Sequence, residues 1–86
     1  MSAALVEYPR KGAWALAFIT NENVRGIYDE KGNDFGKDKV ALFVPTTPNP
    51  TSGYFIYVNK KDVTYINLSV EDSVKVLMSA GVISPE

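Results

Sequence analysis

The sequence predicts an α+β domain: about five mostly antiparallel strands in a strongly twisted sheet or partial barrel, with one helix at the C-terminal end. Three observations carry this expectation. Short runs rich in β-branched and aromatic residues recur along most of the chain, each bounded by Pro, Gly or Asn. One segment alone, near the C-terminus, spaces its apolar residues helically behind a capping residue. At 86 residues, with 45% hydrophobic and 22% charged side chains, residues 1–86 have the length and composition of one folded domain with a modest core.

The elements follow in order. Residues 3–8 are short and apolar enough for a strand, and Pro9-Arg10-Lys11-Gly12 supplies the turn of a hairpin. In the next run, Trp14, Leu16 and Phe18 share one strand face, while Ala13, Ala15 and Ala17 share the other. This strand reads as central, with its alanine face open to close approach by the helix and its Trp/Leu/Phe face supplying core area. Residues 21–39 carry three glycines and many charges, which predict irregular chain or a loose hairpin around Glu30-Lys31-Gly32-Asn33, with residues 24–28 as a short edge strand. Residues 40–44 and 54–58 are clear strands. Asn59-Lys60-Lys61-Asp62 then connects to a strand over residues 63–68, expected to pair with its predecessor as an antiparallel hairpin. Ser69 is placed to cap a helix starting at about Val70, with Asp72 in the acidic position of a capping box. Val70, Val74, Leu77 and Met78 make its apolar stripe, and Gly81 supplies the left-handed residue at its end.

Absences narrow the chemistry. The chain has no Cys and no His, which removes thiol nucleophiles, disulfides, Cys/His metal sites and imidazole acid–base catalysis. No enzyme activity, cofactor or metal is expected. Nine Lys plus Arg against ten Asp plus Glu give a net charge of −1, so no nucleic-acid partner is expected. No apolar run approaches the roughly 18 residues that cross a bilayer, and no signal-peptide pattern opens the chain. The chain itself is expected to be soluble.

Between two predicted strands lies Pro45-Thr46-Thr47-Pro48-Asn49-Pro50-Thr51-Ser52-Gly53. Its prolines fix their own φ and push the preceding residues toward extended backbone, so the loop is stiff without a ladder. Thr46, Thr47, Asn49, Thr51 and Ser52 offer hydroxyls and an amide to a ligand or partner, and Arg10 and Lys11 offer cations to lipid phosphates or an acidic partner. The structural reading of the same loop is that these side chains bond its own backbone in Asx- and Ser/Thr-turns. Thr51-Ser52-Gly53 lacks the glycines of a phosphate-binding loop and precedes a strand rather than a helix. Glu71 and Asp72 have a structural reason to sit at a helix N-terminus, which favours negative charge.

Glu7-Tyr8-Pro9-Arg10-Lys11-Gly12, Phe43-Val44 with the proline loop, and Leu68-Ser69-Val70-Glu71-Asp72, in this order and at these separations, resemble the domain of unknown function 502 family. That family includes the plant COV-like (continuous vascular ring) proteins. The resemblance implies an integral membrane protein with two transmembrane helices ahead of the matched region, and this chain as an excised soluble portion on the cytoplasmic side. It implies no catalytic residues. Asn59 stands where the family often has proline, and Ala80 where a second glycine often precedes Gly81. The function expected is a cytosol-facing interaction or regulatory module that meets a protein, a membrane surface or another copy through the loop and Arg10-Lys11. The rival expectation is a small-ligand-binding or enzymatic domain built on the loop hydroxyls.

Overall fold

The computed structural model describes residues 1–85. Strands β1 (Ser2–Glu7), β2 (Trp14–Asn21), β3 (Lys39–Pro45) and β4 (Gly53–Asn59) form an antiparallel meander. Strand β5 (Val63–Tyr65) returns to the outer side of β1, so the sheet order is β4-β3-β2-β1-β5. Short 3-10 turns, Phe35–Asp38 and Lys60–Asp62, precede β3 and β5, and helix α1 (Val70–Met78) closes the chain. The α+β expectation holds, with β2 central and five antiparallel strands in one unclosed sheet.

The expected hairpin of the last two strands does not form. Val63 lies beside Val6 and Tyr65 beside Ala4, at the opposite edge from β4, and the strand ends at Tyr65 rather than Leu68. Edges of a flat five-stranded sheet would be about 19 Å apart at roughly 4.8 Å per strand. Four residue steps from Asn59 to Val63 reach at most about 14 Å, so the sheet curls and brings its edges toward one another. A register shift between Ile19 and Asn21 marks a bulge in β2, which adds twist.

Curling gives the two faces different jobs. Alternate residues of every strand point into the concave face, where Ala4, Val6, Ala17, Ile19, Val40, Leu42 and Val44 are buried, with Ala15, Ile56, Val58 and Val63 against them. The alanine face of β2 is therefore the inside of the curl, not the helix seat. Small side chains are needed where the sheet folds on itself. The helix sits on the other face, where Ala3, Phe18 and Leu77 are buried among Leu16, Phe43, Ile66, Leu68, Val70 and Val74. It does not reach Trp14, which stays 55% exposed.

Ser69 caps α1 as expected, its Oγ accepting from the Asp72 amide at 3.0 Å. The buried stripe differs in one member. At about 100° per residue, Met78 lies roughly 90° from the stripe's centre while Ser73 falls within it. Met78 is exposed, and Ser73 is fully buried with its hydroxyl donating to the Ser69 carbonyl at 2.8 Å. The helix end also shifts by one residue. Ala80 donates to the Leu77 carbonyl and Gly81 to that of Val76, a Schellman pattern that puts Ala80, not Gly81, at the first left-handed position.

Residues 24–28 form no edge strand. Val24 is buried against Gly36, where a Cβ would come within 2.6 Å of the Val24 carbonyl oxygen. That anchorage takes the segment away from the sheet. The expected turn is present nearby: Tyr28 bridges Asp34, and the Asp29 carboxylate accepts from the amides of Lys31 and Asn33 at 2.9 Å.

Candidate interaction site

The proline loop leaves β3 and re-enters β4 with its polar groups largely turned inward. The Thr46 amide donates to the Ser52 carbonyl at 2.7 Å, extending the ladder by one rung. The Thr46 hydroxyl is shared between the carbonyls of Asn49 at 2.7 Å and Ser52 at 3.0 Å, and the Ser52 Oγ lies 3.4 Å from it. Asn49 Oδ1 accepts from the Thr51 hydroxyl at 2.7 Å and from its amide at 3.3 Å, an Asx-turn. The Thr47 hydroxyl donates to the Leu77 carbonyl in the last turn of α1. Gly53 closes the loop because the chain passes too near β3 for a side chain: a Cβ there would meet Pro45 Cα at 2.7 Å and Phe43 Cε1 at 2.9 Å, with the Val44 carbonyl nearer still. Hydroxyls that already donate within the loop must break those bonds before they can donate to anything else.

Arg10 and Lys11 sit in the β1–β2 turn, which is held by the Gly12 amide donating to Glu7 Oε2 at 2.7 Å. They line a 490 Å³ cavity at the mouth of the concave face together with Glu7, Lys39 and Asp62. No residue of 46–52 lines it. The Arg10-Lys11 turn and the loop residues 46–52 thus do not share this cavity, although Tyr8, just before the turn, lies with its ring centroid 5.9 Å from that of Tyr54, just after the loop. Thr47 faces a smaller apolar cleft of 260 Å³ with Trp14, Leu16, Val76 and Leu77. Among the described residues, no three His, Cys, Asp or Glu side chains come together as metal donors.

A second surface, whose tyrosines the sequence would place in ordinary sheet packing, is more distinctive. Strand β4, Gly53-Tyr54-Phe55-Ile56-Tyr57-Val58-Asn59, carries no charge and no proline yet forms an edge. Phe55 is 64% and Tyr54 57% exposed, on opposite faces of the strand. Phe55 and Tyr57 stack edge-on with ring centroids 4.8 Å apart, Tyr57 meets Phe35 at 5.6 Å, and Lys39 Nζ lies 4.9 Å from the Phe35 centroid. The registers place Ala3, Phe18, Phe43 and Phe55 in one row across four strands. Helix α1 covers the first two, which are buried, and leaves the last open. A run of Tyr and Phe with no polar face was the signal in the sequence.

Fold and site together define a small α+β domain with a curled sheet, a self-bonded loop and an open aromatic edge. The chain belongs to the family described as protein of unknown function (DUF502), whose profile matches residues 1–52, from β1 through the proline loop. It is similar to Protein LIKE COV 1 of Arabidopsis thaliana, 30% identical over 83 residues that make up 96% of this chain and 30% of that protein. It is similar also to Protein CONTINUOUS VASCULAR RING 1 of the same plant, again 30% identical over 83 residues, 96% of this chain and 29% of that protein. The chain spans about three tenths of the length of the curated relatives it matches. No solved structure matches it. Among the described residues, no helix is long and apolar enough to cross a membrane.

Proposed function

We propose that the chain is a non-enzymatic interaction module of an integral membrane protein, facing the cytosol, and that it meets its partner through the β4 edge rather than the loop hydroxyls. The observation that carries this is the contrast between the two surfaces. Tyr54 and Phe55 stand more than half exposed on an uncharged edge, whereas Thr46, Asn49 and Thr51 are committed to the loop's own shape. Exposed apolar edges of this kind mark contact surfaces. The resemblance to COV-like proteins supports the membrane context, and the chain's absence of His and Cys supports a role without chemistry.

Two measurements test this reading. This chain has no Cys of its own, so Asn33→Cys in a full-length protein with any cysteines outside this chain replaced, treated with a membrane-impermeant maleimide, is expected to label only after the plasma membrane is opened. Labelling of intact cells would overturn the cytosolic placement. Amide shift mapping with nucleotides and sugars is expected to show no saturable change over residues 46–53. Localised, saturable shifts there would favour the ligand-binding alternative.

A further inference from the structure

We infer that strand β4 is a self-association edge: two copies of this chain pair their β4 strands antiparallel about a two-fold axis at Phe55, joining two five-stranded sheets into one. The inference rests on the interaction-module reading and names its partner. Edge strands are ordinarily protected by charge, proline, bulges or a covering element. β4 has no charge or proline in its seven residues, pairs with β3 without a register shift, and, among the described residues, has no strand on its other side. Its unpaired amides and carbonyls are satisfied by a strand, and a strand identical to itself, run antiparallel, is automatically complementary.

The axis follows from the residues. A two-fold perpendicular to the sheet keeps each face on its own side, so a residue must pair with one of the same parity. Centring on Phe55, the most exposed large apolar residue of the strand at 64%, sets Phe55 opposite Phe55, Tyr54 opposite Ile56 and Gly53 opposite Tyr57. Gly53 leaves room for the Tyr57 ring. The centre also lies away from Asn59, where Nδ2 donates to Asp62 Oδ2 at 3.4 Å as the chain turns toward β5. Charge does not oppose the pairing: the cationic Lys60-Lys61 end of one copy meets the neutral Asn49-Pro50 of the other.

Area sets how tight the pairing can be. A seven-residue strand is about 23 Å long, and the edge of a sheet with its side chains, Tyr54 and Phe55 among them, is about 10 Å deep, giving about 230 Å². Phe35 beside it, 40% exposed, adds about 80 Å² if a ring residue offers about 200 Å². The pair of copies then buries about 600 Å² in all, the size of a weak, transient contact. A reversible dimer is expected, assembling at high micromolar concentration and favoured when copies share a membrane plane.

Sedimentation velocity of the 86-residue chain from about 10 μM to about 1 mM is expected to show a monomer–dimer equilibrium, with affinities in this range matching so small an interface. Phe55→Lys and Phe55→Glu, each at an exposed position, are expected to keep the native circular dichroism and each weaken the dimer at least about tenfold, because like charges then oppose each other across the axis. Mixing the two variants is expected to restore a dimer at least as tight as the parent. Val82→Lys, at an exposed apolar site away from β4, is expected to change nothing. A chain that stays monomeric, a dimer indifferent to Phe55→Lys, or a mixture that fails to re-associate would each overturn the inference. A monomer that binds phosphatidylcholine–phosphatidylserine vesicles through Phe55 would overturn it in favour of a lipid surface. The maleimide result stands or falls separately from all of these.

Discussion

Ala80 holds φ at 54°, a left-handed conformation in which a Cβ crowds the following carbonyl and costs about 1 kcal/mol. Glycine has no such penalty. Ala80→Gly is therefore expected to stabilise the chain by about 0.5–1 kcal/mol, raising the midpoint of thermal unfolding by about 2–8 °C. The sign is what makes the test useful, since glycine in a helix interior has the opposite effect. Tyr65 shows another residue-scale link, its hydroxyl donating to Glu22 Oε1 at 3.0 Å and tying β5 to the chain beyond β2. That bond, the largest cause, holds the phenol above its ordinary value of 10.0. Support from the neutral phenol is present below that value and lost as pH rises through the higher folded one.

Among the elements, the 29–33 turn has the clearest pH dependence. The Asp29 carboxyl is held below its ordinary 3.8, first by the hydrogen bond from the Asn33 amide and then by that from the Asn33 side chain. A depressed value means that the ionised form supports the turn, so this support is present above 3.8 and is lost as pH falls through the lower folded value. Amide shifts of Lys31 and Asn33 are expected to be native at about pH 5 and to change cooperatively only below the usual carboxylate range, while Asp29→Asn abolishes the transition. Because the site is exposed, the change stays local. This turn was legible in the sequence, as were β1 to β4, the helix and its cap, since each rests on neighbours in the chain. What failed was partner choice. Asn59-Lys60-Lys61-Asp62 has the length and polarity of a hairpin turn, and nothing local in Val63-Thr64-Tyr65 states that it belongs beside β1. Val24 and Ile27 have strand propensity, but the space beside Gly36 claims Val24 instead. Ser73 is polar by type and buried by position, a difference only packing reveals.

In the whole molecule, the two apolar faces share strands, so neither can be lost alone. Phe18 and Ile19 are neighbours on β2 yet enter opposite clusters. Leu42, fully buried, lies on the concave face. Leu42→Ala is expected to cost about 2–5 kcal/mol in urea denaturation. Loss of helix and of sheet signals should coincide in one transition. The loop at the candidate site illustrates the same sharing: sequence placed its hydroxyls correctly, but whether they faced outward or bonded inward depended on the carbonyls of Asn49, Ser52 and Leu77. The aromatic edge was visible only as composition until the sheet order made β4 an outermost strand.

Pairing β1 with β5 also has a consequence in time. As the chain leaves the ribosome, β1 is available before β5, and Ala4 finds Tyr65 only after about sixty further residues have followed. Until then the segment Ser2-Ala3-Ala4-Leu5-Val6 presents an uncharged open flank, like β4 in the finished fold. Contacts of such long sequence separation form slowly. A nascent chain stalled before Val63 therefore leaves open the β1 flank that β5 covers in the completed sheet.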